Sequence, residues 1–469
     1  MPANNSRNAL ARDVRPVEVW AWAMYDFANS GYTTVVITAV FNAYFVAVVA
    51  GGADWGTLAW TAALSVSYVL TLLSAPLVGA LADAYAWKKR LLALSTAGCI
   101  AGTAALWFAG PGTLALAAVA VIVSNLCFGT GQNLIAAFLP ELADSRSMGK
   151  VSGWGWSFGY LGGLLALGLC LAYIHYAQGL GHTAEQFVPV TMLITAALFA
   201  VSVLPTFAFL RERTPAQGGD PLHLAATAWR RLAITVRHAR RFRDLSRFLV
   251  CNVFYQAGIQ AVIALAAIYA QEAMGFSTTE TLMLILVVNL TASAGAFAFG
   301  YLQDRIGHIP AVMLTMIGWI LMVLIAWRAQ GATMFWVAAN IAGLCMGASQ
   351  SAGRAVVGIL APPSRLAEFY GLWGLAINLA SVFGPLTYGL VSWLTGGDHR
   401  AAILATGSYF VVALFIVFGV RVGRGRRAAL KAEREDRRIA ASARTVDHAP
   451  AALIHPTPGH DSGTRTTLP

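Results

Sequence analysis

The chain has 469 residues, 58% hydrophobic and only 11% charged, with a mean hydropathy of +0.64. A water-soluble domain of that length needs more charge to cover its surface, so soluble enzymes and soluble binding modules are excluded. The net charge of +11 is confined to residues 211–247 and 421–469, which carry +6 and +5; charge gathered in two segments indicates membrane topology and anionic lipid, not nucleic acid.

Repeated apolar runs of about 20 residues, without strand-like alternation, predict membrane-spanning helices. The first run contains Asp26, Asn29, Ser30 and Thr33 at i, i+3, i+4 and i+7, hence on one helix face. An acid inside an apolar span normally faces a protein interior or a water-filled path. Helices are expected at 20–49, 57–82, 91–109, 113–138, 151–175, 188–210, 248–273, 280–302, 310–328, 332–354, 367–394 and 401–420. One alternate set of loops carries Lys88, Lys89, Arg90, Arg146, Lys150, the nine arginines of 211–247, Arg305, Arg365 and the basic tail. The opposite set carries only Arg328 and Arg400. Both termini are therefore expected in the cytoplasm, with the chain multi-pass in the inner membrane. Arg7, Arg12 and Arg15 precede the first helix without a small-residue cleavage site, so that helix is expected to be retained.

Five regions follow: a cytoplasmic N-terminus (1–19), a six-helix bundle (20–210), a basic linker (211–247), a second bundle (248–420), and a basic tail (421–469) with a disordered end. The bundles repeat. Gly79-Ala-Leu-Ala-Asp83, with Lys88, Lys89 and Arg90 following, returns 221 residues later as Gly300-Tyr-Leu-Gln-Asp304-Arg305-Ile-Gly307. Gly129-Thr-Gly-Gln132 returns 218 residues later as Gly347-Ala-Ser-Gln350, and Gly153-Trp-Gly155 returns near the same spacing as Gly371-Leu-Trp-Gly374.

The two Gly-x-Leu-x-Asp loops resemble the signature loop of the major facilitator superfamily, the second copy through Asp304, Arg305 and Gly307. In the first, Ala84 and Ala86 stand where that loop usually has Arg and Gly. The resemblance implies an all-α polytopic membrane protein of about twelve helices in two six-helix bundles. It also implies that Asp83 caps the eleventh helix near Phe369 and Asp304 the fifth near Ser152, as parts of a cytoplasmic latch. Tyr25-Asp-Phe-Ala-Asn-Ser30, Phe138-Leu-Pro-Glu-Leu142 with Gly149-Lys-Val-Ser-Gly-Trp-Gly155, and Gly347-Ala-Ser-Gln-Ser351 with Arg354 resemble the vacuole-effluxer family. That family includes fungal autophagy-related amino-acid effluxers, which implies efflux of a small polar solute. Tyr255-Gln-Ala-Gly258 departs from it where relatives often carry Asn-Asp before Gly.

By the same resemblance the first, fourth, seventh and tenth helices line a central cavity. Here they carry Asp26, Asn29, Ser30 and Thr33; Gln132 and Asn133; Asn252, Tyr255, Gln256 and Gln260; and Gln350. One amide alone reads as an interhelical hydrogen bond, whereas the set converging from four helices reads as a solute cavity. Asp26 reads equally as a proton or ammonium carrier or as a carboxylate paired with a cation near the cytoplasmic end. Arg354 reads first as a latch or gate residue at a helix end, with Glu141 as its partner, and second as a site for a solute carboxylate. Gly79, Asp83, Lys88, Lys89, Arg90, Glu141, Gly300, Asp304, Arg305, Gly307 and Arg354 make up the expected latch. Gly159, Gly162, Gly163, Gly168, Gly384 and Gly389 read as packing or bending positions, and Trp154, Trp156 and Trp373 as interface anchors.

The five cysteines lie in apolar runs and never as Cys-x-x-Cys, and His455 and His460 form only a weak pair, so neither metal nor cofactor is expected. The sequence holds no phosphate-binding Gly-x4-Gly-Lys loop, Gly-x-Ser-x-Gly elbow or His-Glu-x-x-His, so the chain reads as no enzyme and no ATP-driven pump. The expectation is a monomeric secondary transporter working by alternating access, with a proton gradient as its drive. The alternative is a membrane sensor or scaffold that binds a ligand in the same bundle without moving it.

Overall fold

The computed structural model describes residues 10–216 and 242–447, apart from 12, 54, 277 and 397. The expected linker lies largely outside the described residues, as does the tail beyond 447. The first span, α1, runs Pro16–Val49. Pro16 opens it where no N–H partner is needed, and Glu18 accepts a hydrogen bond from the Arg15 N–H at 3.3 Å. Beyond Tyr32 the winding loosens into π-helix over Thr33–Ala39 and again over Phe45–Val49.

The first half continues with α2 (Gly56–Tyr85), α3 (Lys88–Ala105), α4 (Leu114–Ala136), α5 (Met148–Gly179) and α6 (Ala184–Ser202). The second half holds α7 (Arg243–Ile268), α8 (Thr278–Ile306), α9 (His308–Arg328), α10 (Ala332–Leu360), α11 (Leu366–Leu394) and α12 (His399–Val417). A basic helix, α13, follows at Val422–Asp447. Among the described residues eleven spans are long and apolar enough to cross a membrane, and α7, of 26 residues, completes twelve. Their outer faces agree: on α9, Leu314, Ile317, Leu321 and Leu324 are exposed while Val312, Met316, Trp319 and Val323 are buried. A greasy exposed face of that kind is stable only against lipid.

The repeat extends into the packing. The helix α1 lies on α5 as α7 lies on α11, α2 on α4 as α8 on α10, and α2 meets α11 as α8 meets α5. Asn29 and Tyr32 of α1 return 223 residues later as Asn252 and Tyr255 of α7. The π-helical end of α1 also has its counterpart, at Tyr269–Ala273 after α7. Glycines let the halves approach. A Cβ at Gly153 would lie 2.5 Å from the Ala296 carbonyl, and one at Gly300 would lie 2.8 Å from that of Gly149. Gly168 and Gly389, expected as packing positions, have nothing within 4 Å of such a Cβ; they serve no close approach.

Gly307 breaks α8 from α9 with φ +96°, in the left-handed region that glycine tolerates. Its repeat partner Ala86 ends α2 with φ +54°. Alanine pays roughly 1 kcal/mol or more for that conformation. Ala86→Gly is therefore expected to stabilise the protein by about 1 kcal/mol, seen as a higher thermal unfolding midpoint in detergent. A lower midpoint would show that Ala86 is held by contacts a glycine loses.

Candidate functional site

Asp26 lies on α1 one turn after Trp22, facing α10 of the other half. Arg354 of α10 donates from Nη1 to Asp26 Oδ2 at 2.6 Å, with Arg354 1% and Asp26 5% exposed. The arginine reaches α5 as well, Nη2 donating to the Ser152 carbonyl at 2.9 Å and Nε to Ser152 Oγ at 3.2 Å. Its guanidinium carbon stands 4.6 Å from the Trp22 ring centroid and 5.3 Å from that of Trp156. Gly155 makes the assembly possible: a Cβ there would lie 2.5 Å from Asp26 Oδ2 and 2.6 Å from Arg354 Nη2. Neither charge is tolerable alone in an apolar span, so each half holds the other's counter-ion.

Around this pair the halves are joined by a ring of polar contacts. Asp83 accepts from the backbone N–H groups of Ala367 and Glu368 at 3.3 and 3.2 Å, capping α11. Asp304 accepts from those of Gly149 and Lys150 at 3.0 and 2.9 Å, capping α5. Ser152 Oγ donates to the Ser351 carbonyl at 2.8 Å, Ser157 and Ser293 share a hydrogen bond of 2.9 Å, and Trp154 donates to Tyr301. From α13, Arg426 donates to Ser145 across the halves at 3.0 Å. All these contacts lie in the part of each helix nearest the basic loops, so the bundle is shut at that end.

Several expected site residues take other places. Arg354 is inside α10, not at its end, because the apolar run Ala355–Leu360 continues the helix. Its partner is Asp26, not Glu141. Glu141 instead accepts from the buried Lys88 Nζ at 2.7 Å and from the Arg213 N–H at 2.6 Å. Lys88 also stands 4.0 Å from Asp83, supplying a cation where Ala84 has none. Lys89 donates to the Leu210 carbonyl and Arg90 lies over Trp87, so both stay with their own half. Arg305 is exposed and has no ion pair among the described residues. Trp154, Trp156 and Trp373 are not anchors at the membrane surface: the first two sit between the halves and Trp373 is buried. Glu212 accepts from the N–H groups of Lys88 and Lys89, the first of α3, at 3.0 and 3.2 Å. Burial raises its carboxyl above the ordinary range, while those hydrogen bonds pull it down.

The polar stripes are brought together unevenly. Gln256 donates to Gln350 at 2.8 Å, within the second half, and Gly374 packs on the Asn133 amide. Gln132, Gln260, Ser30 and Thr33 are half-buried, the last bonding its hydroxyl to the Ser30 carbonyl. Asn29, Asn252 and the Tyr255 hydroxyl are buried with no hydrogen-bond partner among the described residues. Sequence reasoning missed Trp22 and Ser152 as partners of Arg354, although Trp22/Asp26 and Ser152/Trp156 are both i, i+4 pairs that put an aromatic beside a polar group.

A family model described as "Vacuole effluxer Atg22 like" matches residues 59–430. The chain is 25% identical over 404 residues to the "Uncharacterized MFS-type transporter YxiO" of Bacillus subtilis (strain 168), covering 85% of this chain and 93% of that one. It is 24% identical over 319 residues to Autophagy-related protein 22-1 of Penicillium rubens, covering 60% of this chain and 50% of the fungal one. The chain thus spans about half the length of that fungal relative. Its fold is similar to the human organic anion transporter MFSD10, with TM-score 0.67 at 17% identity over 86% of this chain and 100% of that one.

Asp26→Asn leaves a buried guanidinium without its carboxylate and is expected to cost ~3–5 kcal/mol of stability. Asp26→Asn combined with Arg354→Gln should cost clearly less than the two single changes added together, as measured by unfolding in detergent. Additive costs would mean that the two side chains are not coupled.

Proposed function

Because the chain belongs to the vacuole-effluxer (Atg22-like) family of major-facilitator membrane transporters, we propose that it exports a small polar solute of the amino-acid class by alternating access. The excess of Lys and Arg on one set of loops supports placing that end, and both termini, in the cytoplasm of a cell whose inner membrane the chain spans. The conformation described is then the one closed to the cytoplasm.

The observation that carries this reading is the Asp26–Arg354 pair. A carrier must part its halves at the cytoplasmic end, and parting them strips a buried carboxylate of the arginine that neutralises it. Asp26 must then take up a proton or a cationic group of the solute, which ties the opening of the gate to what the carboxylate binds. The partnerless amides of Asn29 and Asn252 and the Tyr255 hydroxyl support a polar cargo, since each can donate or accept toward it once the helices separate. The Gln256–Gln350 pair adds two more amides on the facing half. Small glycines along the seam suit rocking of one bundle on the other.

Counterflow of labelled amino acids in proteoliposomes tests the reading. The expected result is carrier-mediated exchange that falls to background in Asp26→Asn and whose pH dependence vanishes with it. Tight binding without flux would make the protein a ligand-binding scaffold. Unaltered flux and pH profile in Asp26→Asn would remove that residue from the mechanism.

A further inference from the structure

The first half alone carries a complete recognition site for a guanidinium group, and the group that fills it is supplied by the second half. Among the described residues every partner of the Arg354 head group comes from α1 or α5: Asp26 Oδ2 at 2.6 Å, the Ser152 carbonyl at 2.9 Å and Ser152 Oγ at 3.2 Å, with the Trp22 and Trp156 rings against the guanidinium carbon. The cluster is held in shape by its own half. The Trp22 indole N–H donates to the Ile135 carbonyl at 2.8 Å, and α1 packs along α5 through Gly155 and Gly159. Removing α10 therefore takes away the occupant and leaves the acceptors in place.

We infer that the Trp22–Asp26–Ser152–Trp156 cluster is an entry site for a small guanidinium-bearing solute, with Arg354 as its resident competitor. The inference rests on the alternating-access reading above and narrows its solute class to cations. A planar guanidinium can bond a carboxylate and a carbonyl at once while its face meets an indole; a compact ammonium can satisfy Asp26 but neither stacks nor spans to Ser152. An anionic solute meets the Asp26 carboxylate and is turned away. The solute and Arg354 cannot occupy the cluster together, so a bound solute holds the halves apart, and the return of Arg354 displaces it. The closed state is in this sense the complex of the first half with a tethered analogue of its ligand.

The test is chemical rescue of the full chain in detergent. Arg354→Ala empties the cluster, and methylguanidinium at constant ionic strength is expected to raise its thermal midpoint by several degrees, saturably. Methylammonium should raise it less, sodium chloride not at all, and Asp26→Asn or Trp156→Ala in the Arg354→Ala background should abolish the rise. Equal shifts from methylammonium or sodium, or an equal shift in the double variants, would overturn the proposal. Should Arg354→Ala not fold, Ser351→Cys in the otherwise intact chain gives a second readout, because position 351 is buried between the halves. Methylguanidinium is expected to speed its labelling by a maleimide from the cytoplasmic side several-fold over the unsubstituted chain's background; unchanged or slower labelling would overturn the proposal. Rescue without amino-acid counterflow would uphold the site while removing amino acids as cargo, and counterflow without rescue would remove the site alone.

Discussion

One buried ion pair sets the terms for this structure. Asp26 and Arg354 lie in an apolar interior where each would be prohibitive alone, and they come from different halves of the molecule. The pair therefore does little for the stability of either bundle and much to decide how the two meet. The surrounding sequence follows from that requirement. Gly155 has no side chain because one would strike both members of the pair, and Gly153 and Gly300 have none because backbones pass at that level. Ser152 links both directions, accepting from Arg354 and donating to the Ser351 carbonyl.

The two copies of the acidic loop have diverged around this seam. The second is spare: Asp304 caps α5 while Arg305 points to solvent. The first carries Ala84 where the second carries Arg305, with a buried lysine nearby in its stead. Lys88 lies between Asp83 and Glu141, with Thr214 completing its contacts, and Glu212 caps the helix that carries it. The start of the linker is thus bound to the first half through Glu212, Arg213 and Thr214. The second half has its own brace, since Asp244 receives Arg424 at 2.7 Å and the Arg421 N–H, fixing α13 beneath α7 and α10. The same helix then reaches Ser145 of the first half, so the tail spans the seam that the ion pair closes.

Much of the architecture was legible in the sequence because membrane helices advertise themselves locally. Apolar length, loop charge and the 221-residue and 218-residue spacings are properties of short windows, and they yield twelve helices and two related halves. The caps made by Asp83 and Asp304 follow from a loop that is itself a local motif. The partner of Asp26 does not, since it stands 328 residues away and the packing of α5 against α8 and α10 brings it within reach. Glu141 was a reasonable alternative on sequence grounds and fails because Lys88 reaches it first. The helix end assumed at 354 was misread for a similar reason: a buried arginine interrupts the hydropathy of α10 without interrupting its hydrogen bonds. The π-helical ends of α1 and α7 and the open surroundings of Gly168 leave no trace in composition.

Transport by alternating access requires this seam to open. Ser157 of α5 and Ser293 of α8 touch across it at 2.9 Å without contacting the ion pair, which makes them the place to fasten it. Cysteines at both positions, on a cysteine-free background, can be oxidised to a cross-link and assayed by solute counterflow in proteoliposomes. Oxidation is expected to stop counterflow, and a reductant to restore it. Full counterflow through the cross-linked protein would show that transport proceeds with the seam closed.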